Sequence, residues 1–298
     1  INVLRGAGIP VAAGVRSYRM LCVRSTLYRD GAECRDCLGS SVNLPAVRHG
    51  CYQGSTLQSL PMAASLRLHR STFSSIDGLL AVSEYVRDEL VANGFDPGRI
   101  VVRPNFVDDP GSPIDRRGDG FLFAGRLTGE KGVGAMLDAW RRSEAWRTST
   151  LRVAGSGPLD DLLADAADVG VEALGLLAND ELLDLVSDSA VTVVPSLWPE
   201  PFGRGVIEAA ARARPSIVTS AGGVGSLVEH GVTGWVASPD VDGLEAAFRA
   251  ALDPDDQHRR GIAARRRFLE RYTRESSLRI LDETLRRLAD DGIDFAAS

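Results

Sequence analysis

Two carboxylates, Glu200 and Glu208, enclose seven residues in the segment Glu200-Pro201-Phe202-Gly203-Arg204-Gly205-Val206-Ile207-Glu208. Pro199 and Pro201 flank Glu200 and keep it out of regular structure. Gly203 to Gly205 is expected to open a helix whose free N–H groups and dipole favour a bound anion. Glu208 then lies about a turn inside that helix. Glu200 can meet the sugar end of a ligand and Glu208 a ribose diol, with phosphates between them. A second loop, Gly125-Arg126-Leu127-Thr128-Gly129-Glu130-Lys131-Gly132, brackets a bend with two cations. The planar fork of Arg126 and the point charge of Lys131 suit a diphosphate. Lys131 is also the only lysine in the chain. A third loop, Ala154-Gly155-Ser156-Gly157-Pro158, joins a strand to a helix and reads mainly as architecture.

Loops of this kind need strands to carry them. Short apolar runs at Phe121 to Ala124, Leu151 to Ala154, Val171 to Leu174, Val191 to Val194, Ser216 to Thr219 and Gly234 to Val236 read as buried strands. Helices are expected from Gly132, Leu159, Asp180, Gly205 and Val224, the alternation of a doubly wound parallel sheet. Ahead of them, Val11 to Val15, Gly78 to Val82 and Arg99 to Arg103 read as strands of a first α/β domain. Its helices are expected over Leu57 to Phe73 and from Ser83 to Asn93-Gly94. The proline-rich stretch Arg103 to Pro113 reads as the linker. The expected division is residues 1–105, 106–275 and a final amphipathic helix, 276–298, with Leu278, Leu281, Leu285 and Leu288 in phase.

The net charge of −6 argues against general nucleic-acid binding. Charge is unevenly spread: residues 1 to 75 carry nine Arg against Asp30, Glu33 and Asp36, which leaves +6 there and −12 in the remainder. The basic part suits anionic lipid headgroups at a membrane surface or a phosphorylated acceptor; the alternative is a solvated Arg-rich surface. No apolar run is long enough to span a bilayer. All four cysteines, Cys22, Cys34, Cys37 and Cys51, fall in the same region, with a C-x-x-C at Cys34 to Cys37. Four thiolates can complete a structural zinc shell; a disulfide or four unligated thiols are the alternatives.

Glu200 to Glu208 resembles the E-x7-E signature of glycosyltransferase family 4. Gly125 to Gly132, Val153 to Leu159, Gly231 to Val236, V-S-E-Y-V-R-D-E-L from Val82 and R-P-N-F-V-D from Arg103 are similar to other landmarks of that family. The resemblance implies a GT-B fold of two facing Rossmann-like domains and transfer of a sugar from a nucleoside diphosphate sugar to a glycan or lipid-linked hydroxyl, with retention of configuration. It implies no metal or cofactor for catalysis. Arg126 and Lys131 are expected at the donor diphosphate, with Glu200 completing the catalytic set. Phe202 and Gly203 are expected at the donor sugar, Glu208 at the ribose, and Leu176 and Leu177 near the base. Gly125, Gly155, Arg204 and Gly205 complete the expected donor-binding set. This chemistry suits cell-surface polysaccharide synthesis in the cytoplasm, peripheral at the inner membrane face.

Two departures accompany the resemblance. The family begins with a strand and a Gly-rich loop that this sequence lacks before Ile1, so the first domain is expected to be incomplete. Where relatives often carry His followed by Asp or Asn, this chain has Arg16-Ser17. Arginine is no base at neutral pH, although it can bind phosphate. A catalytically silent nucleotide-sugar-binding protein is therefore one alternative, and a nucleotide-sugar epimerase another.

Overall fold

The computed structural model describes residues 1–40, 42–111 and 117–290. The chain divides into two units, one of Ile1–Asn105 with the chain from Ser277 on, the other of Phe106–Ser276. The linker expected over Arg103 to Pro113 straddles this division; Ser112 and Pro113 lie outside the described residues.

In the first unit, β1 (Ala12–Val15) is followed by a hairpin of β2 (Tyr28–Arg29) and β3 (Ala32–Glu33), then by β4 (Gly78–Ala81) and β5 (Ile100–Val102). The main sheet is parallel in the order β1-β4-β5. β4 is buried at every position, as a central strand covered on both faces must be. The hairpin turns at Asp30 and Gly31, both with positive φ, the Asp-Gly turn that matches strand twist. Arg35 ties the adjoining loop to the helix Glu84–Ala92 through a bidentate contact with Glu89, at 2.5 and 3.2 Å. Glu89 is buried, and the guanidinium supplies the partner that a buried carboxylate requires. The final helix, Arg274–Asp290, lays Leu288 against Gly78, where a Cβ would stand 3.0 Å from Leu288 Cδ1.

The segment expected as one helix from Leu57 to Phe73 is two, Thr56–Leu68 and Arg70–Ser74, because His69 leaves helical geometry (φ −93°, ψ 2°). Cys22, Cys34, Cys37 and Cys51 are free thiols, and among the described residues no group of three or more His, Cys, Asp or Glu is arranged to hold a metal ion. Cys37 and Cys51 pack against the small apolar cluster of Val23, Ala46 and Ala63. Burial, and after it the neighbouring thiols, push the Cys37 thiol up to about 11 and raise Cys51 also.

The second unit carries a six-stranded sheet: β6 (Phe121–Ala124), β7 (Leu151–Ala154), β8 (Val171–Gly175), β9 (Val191–Val194), β10 (Ser216–Thr219) and β11 (Gly234–Ala237). All pairings are parallel, in the order β11-β10-β9-β6-β7-β8. This is the order of the doubly wound dinucleotide-binding fold, with its reversal between β6 and β9. The core on one face centres on Phe121, Trp140 and Phe248, three edge-to-face rings with centroids 5.2 to 5.4 Å apart. The buried indole of Trp140 donates to Val169 O at 2.8 Å, so that ring leaves no orphan N–H. Where a helix was expected from Val224, only the short turn Gly223–Leu227 forms, and Val228 returns to extended geometry.

Candidate functional site

The strand order decides which loops meet. β6 and β9 lie side by side, so the chain leaving Ala124 and the chain leaving Val194 emerge together at the topological reversal. There Lys131 Nζ donates to Glu200 Oε1 at 2.8 Å, although the two residues are 69 apart in sequence. Both side chains are largely but not fully buried, at 20% and 13% exposure. The ammonium also stands 5.5 Å from the ring centroid of Trp198, so the lysine is held by a carboxylate and an aromatic face together.

The backbone locks this contact. Leu197 N donates to Glu130 O at 2.9 Å, joining the two loops. Gly132 has φ +75°, and a Cβ there would run into the carbonyl of Pro195. Glu200 O accepts from Gly223 N at 2.7 Å, which fixes the backbone between the two prolines. Its second carboxylate oxygen, Oε2, accepts from Ser196 Oγ. Ser196 is fully buried, and its carbonyl accepts from the equally buried Thr219 Oγ1 at 2.6 Å. Ser196 and Thr219 were given no role by the sequence reasoning. Their available signal was position: Ser196 just past β9 and Thr219 at the end of β10.

The helix following Glu200 runs Arg204–Ala211, with Gly203 as its N-cap at φ +110°. A Cβ on Gly203 would meet Val224 Cγ2 at 2.7 Å, so the turn into the helix demands glycine on two counts. Arg204 and Gly205 are exposed at the helix start, while Phe202 is buried edge-on against Tyr272, 6.1 Å between centroids. Glu208 is engaged by Arg204 Nε at 2.8 Å. Arg126 is exposed and, among the described residues, makes only a long contact with Glu130, 3.5 Å, which leaves its fork available. Gly155 packs its backbone onto Gly125, and its N–H donates to Gly175 O at 2.7 Å. Leu177 packs beside Leu122, Ala154 and Ala209, whereas Leu176 stands exposed past β8.

The structure therefore brings Lys131 and Glu200 into direct contact and ties Arg126, through Glu130, to the loop that carries Glu200. Glu208 is instead engaged with Arg204. Two buried polar groups of these loops, Trp198 Nε1 and Thr128 Oγ1, lack a partner among the described residues.

Comparison with known proteins follows the same lines. The model of the family described as Glycosyltransferase Family 4 matches residues 26–109, and that described as Glycosyl transferases group 1 matches residues 118–253. The two stretches are thus similar to domains of family 4 and group 1 glycosyltransferases. Among its relatives, the glycogen synthase of Mycobacterium tuberculosis is 38% identical over 208 residues, covering 64% of this chain and 49% of that protein. An uncharacterized glycosyltransferase of Methanocaldococcus jannaschii is 36% identical over 129 residues, covering 41% of this chain and 33% of its own. The chain thus spans about half the length of the glycogen synthase it matches.

Solved structures carry the fold. Anabaena HepE in complex with UDP superposes with a TM-score of 0.69 at 18% identity, over 97% of this chain and 74% of that one. Sucrose-phosphate synthase of Thermosynechococcus elongatus gives 0.64 at 22% identity, over 85% and 66%. The chain has the GT-B fold. No helix among its described residues is long and apolar enough to cross a membrane.

Proposed function

We propose that the protein transfers a sugar from a nucleoside diphosphate sugar to a hydroxyl acceptor with retention of configuration, and that the Lys131–Glu200 contact marks the donor site. That contact carries the reading: a lone lysine and a loop glutamate, distant in sequence, meet where a doubly wound sheet reverses. A diphosphate entering there competes with Glu200 for Lys131 and also finds the fork of Arg126. The exposed start of the helix at Arg204 and Gly205 adds amide hydrogens. These groups stabilise the charge that develops on the departing diphosphate, the change that distinguishes transition state from ground state. Glu200, released from the lysine and held by Ser196, accepts hydrogen bonds from sugar hydroxyls. The Phe202–Gly203 backbone lies beside it.

Glu208, at the far side of the same helix turn, takes the ribose once Arg204 swings aside. Leu176 and Leu177 flank the base. The partnerless Trp198 N–H and Thr128 hydroxyl are consistent with a polar ligand at these loops. The comparison complexes of HepE hold UDP, glucose or UDP-glucose, which makes a UDP-linked hexose the first donor to try. No catalytic step in this reading calls on a metal or cofactor. The acceptor is a glycan or lipid-linked hydroxyl of cell-surface polysaccharide synthesis, met in the cytoplasm with a peripheral approach to the membrane.

The deciding experiment measures sugar transfer by Glu200→Gln and Lys131→Ala. Each is expected to lose well over tenfold in kcat/KM, since contacts made mainly in the transition state cost about 2–4 kcal/mol when removed. Turnover at the wild-type level in both would remove the donor-site assignment. Donor binding without transfer in the wild type would instead favour a silent binding protein.

A further inference from the structure

Arg16 and Arg103 occupy equivalent places on the first unit's sheet. Val15 pairs with Ala81, and Ala81 with Val102, so the last rung of β1, β4 and β5 is in register. The ladder continues one step, with Val82 N donating to Val15 O at 3.1 Å and Arg103 N to Ala81 O at 2.8 Å. Arg16, Val82 and Arg103 therefore share the next rung. Residues of one rung in a parallel sheet point to the same face, and two strand spacings separate the outer pair by about 10 Å at Cα. Two long cationic side chains thus flank one point at the carboxyl edge of the sheet. In open α/β sheets that edge is where ligands bind.

The electrostatics of the pair are unbalanced. Among the described residues no carboxylate pairs with either guanidinium, a state they share with some other arginines of this unit; what sets them apart is that they stand on one rung of the sheet. Arg16 is exposed. Arg103 is half-buried and oriented by a 3.1 Å bond from its Nε to Ser277 O. Burial and the neighbouring Arg16 both push the Arg103 guanidinium below its ordinary value, and no acid offsets them. Two like charges held together without a counter-charge favour a bound anion between them.

We propose that Arg16 and Arg103 form a phosphate-binding cradle at the carboxyl edge of β1 and β5. On the glycosyltransferase reading above, on which this last step rests, the phosphoryl group it takes belongs to the acceptor. The pair then anchors the acceptor by its charge and selects acceptors that bear a phosphomonoester.

The test titrates the full chain with inorganic phosphate at constant ionic strength, following heat, in four forms: wild type, Arg16→Gln, Arg103→Lys and Lys131→Ala. The Lys131→Ala form separates this site from the donor site. The expected result is binding in the wild type, in Arg103→Lys and in Lys131→Ala, weakened about tenfold or more in Arg16→Gln, the loss of one charge-assisted contact. Phosphate binding that is unchanged by Arg16→Gln, or lost only with Lys131, overturns the cradle while leaving the donor site standing. Conversely, loss of transfer chemistry in the wild type with phosphate binding intact overturns the donor reading alone. A second arm offers glucose 1-phosphate, or vesicles of phosphatidylcholine with phosphatidic acid. Displacement of inorganic phosphate by the former assigns a soluble phosphorylated acceptor, and by the vesicles alone a lipid headgroup. Displacement by neither overturns the phosphomonoester assignment.

Discussion

Glu200 owes its geometry to a lysine across the loop and to two buried hydroxyls behind it. Its carboxylate is shared between Lys131 and Ser196, and Ser196 is in turn held by Thr219 from the neighbouring strand. Ser196→Ala removes the bond to Oε2 and frees the carboxylate to rotate, while leaving Glu200 and Lys131 in place. Transfer is expected to fall about fivefold to twentyfold, mainly in kcat, the loss of about 1–2 kcal/mol for one charge-assisted hydrogen bond. Ser196→Thr, which restores the hydroxyl, is expected to recover part of it. Equal kcat in wild type and Ser196→Ala would show that Glu200 needs no such support. Cys37 illustrates a different residue-scale effect. Its thiol is raised to about 11 by burial first of all, so the folded state holds its proton in a range where an unfolded thiol has already lost it. The unfolded state then binds fewer protons, and stability falls as pH rises from the ordinary thiol range toward 11. Thermal unfolding across that alkaline window should show the decline, and Cys37→Ala should flatten it. A slope indifferent to the substitution would locate the alkaline sensitivity elsewhere.

At the scale of elements, the legible parts are those whose chemistry is local. The runs Phe121 to Ala124, Leu151 to Ala154, Val191 to Val194 and Ser216 to Thr219 are apolar enough to be read as buried strands, and each is one. The hairpin of Tyr28–Arg29 and Ala32–Glu33 was missed although Asp30-Gly31 announces its turn, because two-residue strands offer no alternation to read. The long helix from Leu57 failed at His69 because helical spacing survives a break that phase alone does not register. For the candidate site, residue types were legible but partnership was not. Nothing local tells Lys131 that it meets Glu200; that follows from β6 and β9 being neighbours, a property of the whole sheet. Gly132 is where the two loops press closest. Alanine there must adopt φ near +75° and displace the Pro195 carbonyl. Gly132→Ala is expected to cost about 1–3 kcal/mol in urea unfolding, with loss of donor binding. A variant as stable as wild type would mean that the loops are free to separate.

The molecule as a whole carries two cores, and the proposed donor groups lie in only one of them. Phe121, Trp140 and Phe248 anchor the second unit, while β4 and the helix Arg274–Asp290 anchor the first through Gly78 and Leu288. A ligand that binds one native unit stabilises that unit by mass action, about 2.7 kcal/mol at a hundred times its Kd. For a unit of this size that corresponds to a shift of about 5–10 °C in unfolding midpoint. Scanning calorimetry is accordingly expected to resolve two transitions, with UDP raising only the one that reports the second unit. Tryptophan fluorescence identifies it, because Trp140, Trp146, Trp198 and Trp235 all lie there. Lys131→Ala should abolish the shift; because it breaks a largely buried pair, the ligand-free midpoint is expected to fall as well, and the readout is the UDP-induced difference within each variant. If UDP instead raised both transitions equally in the wild type and in Lys131→Ala, the nucleotide would be held outside the Lys131 loop, and the proposed division of labour between the units would be wrong.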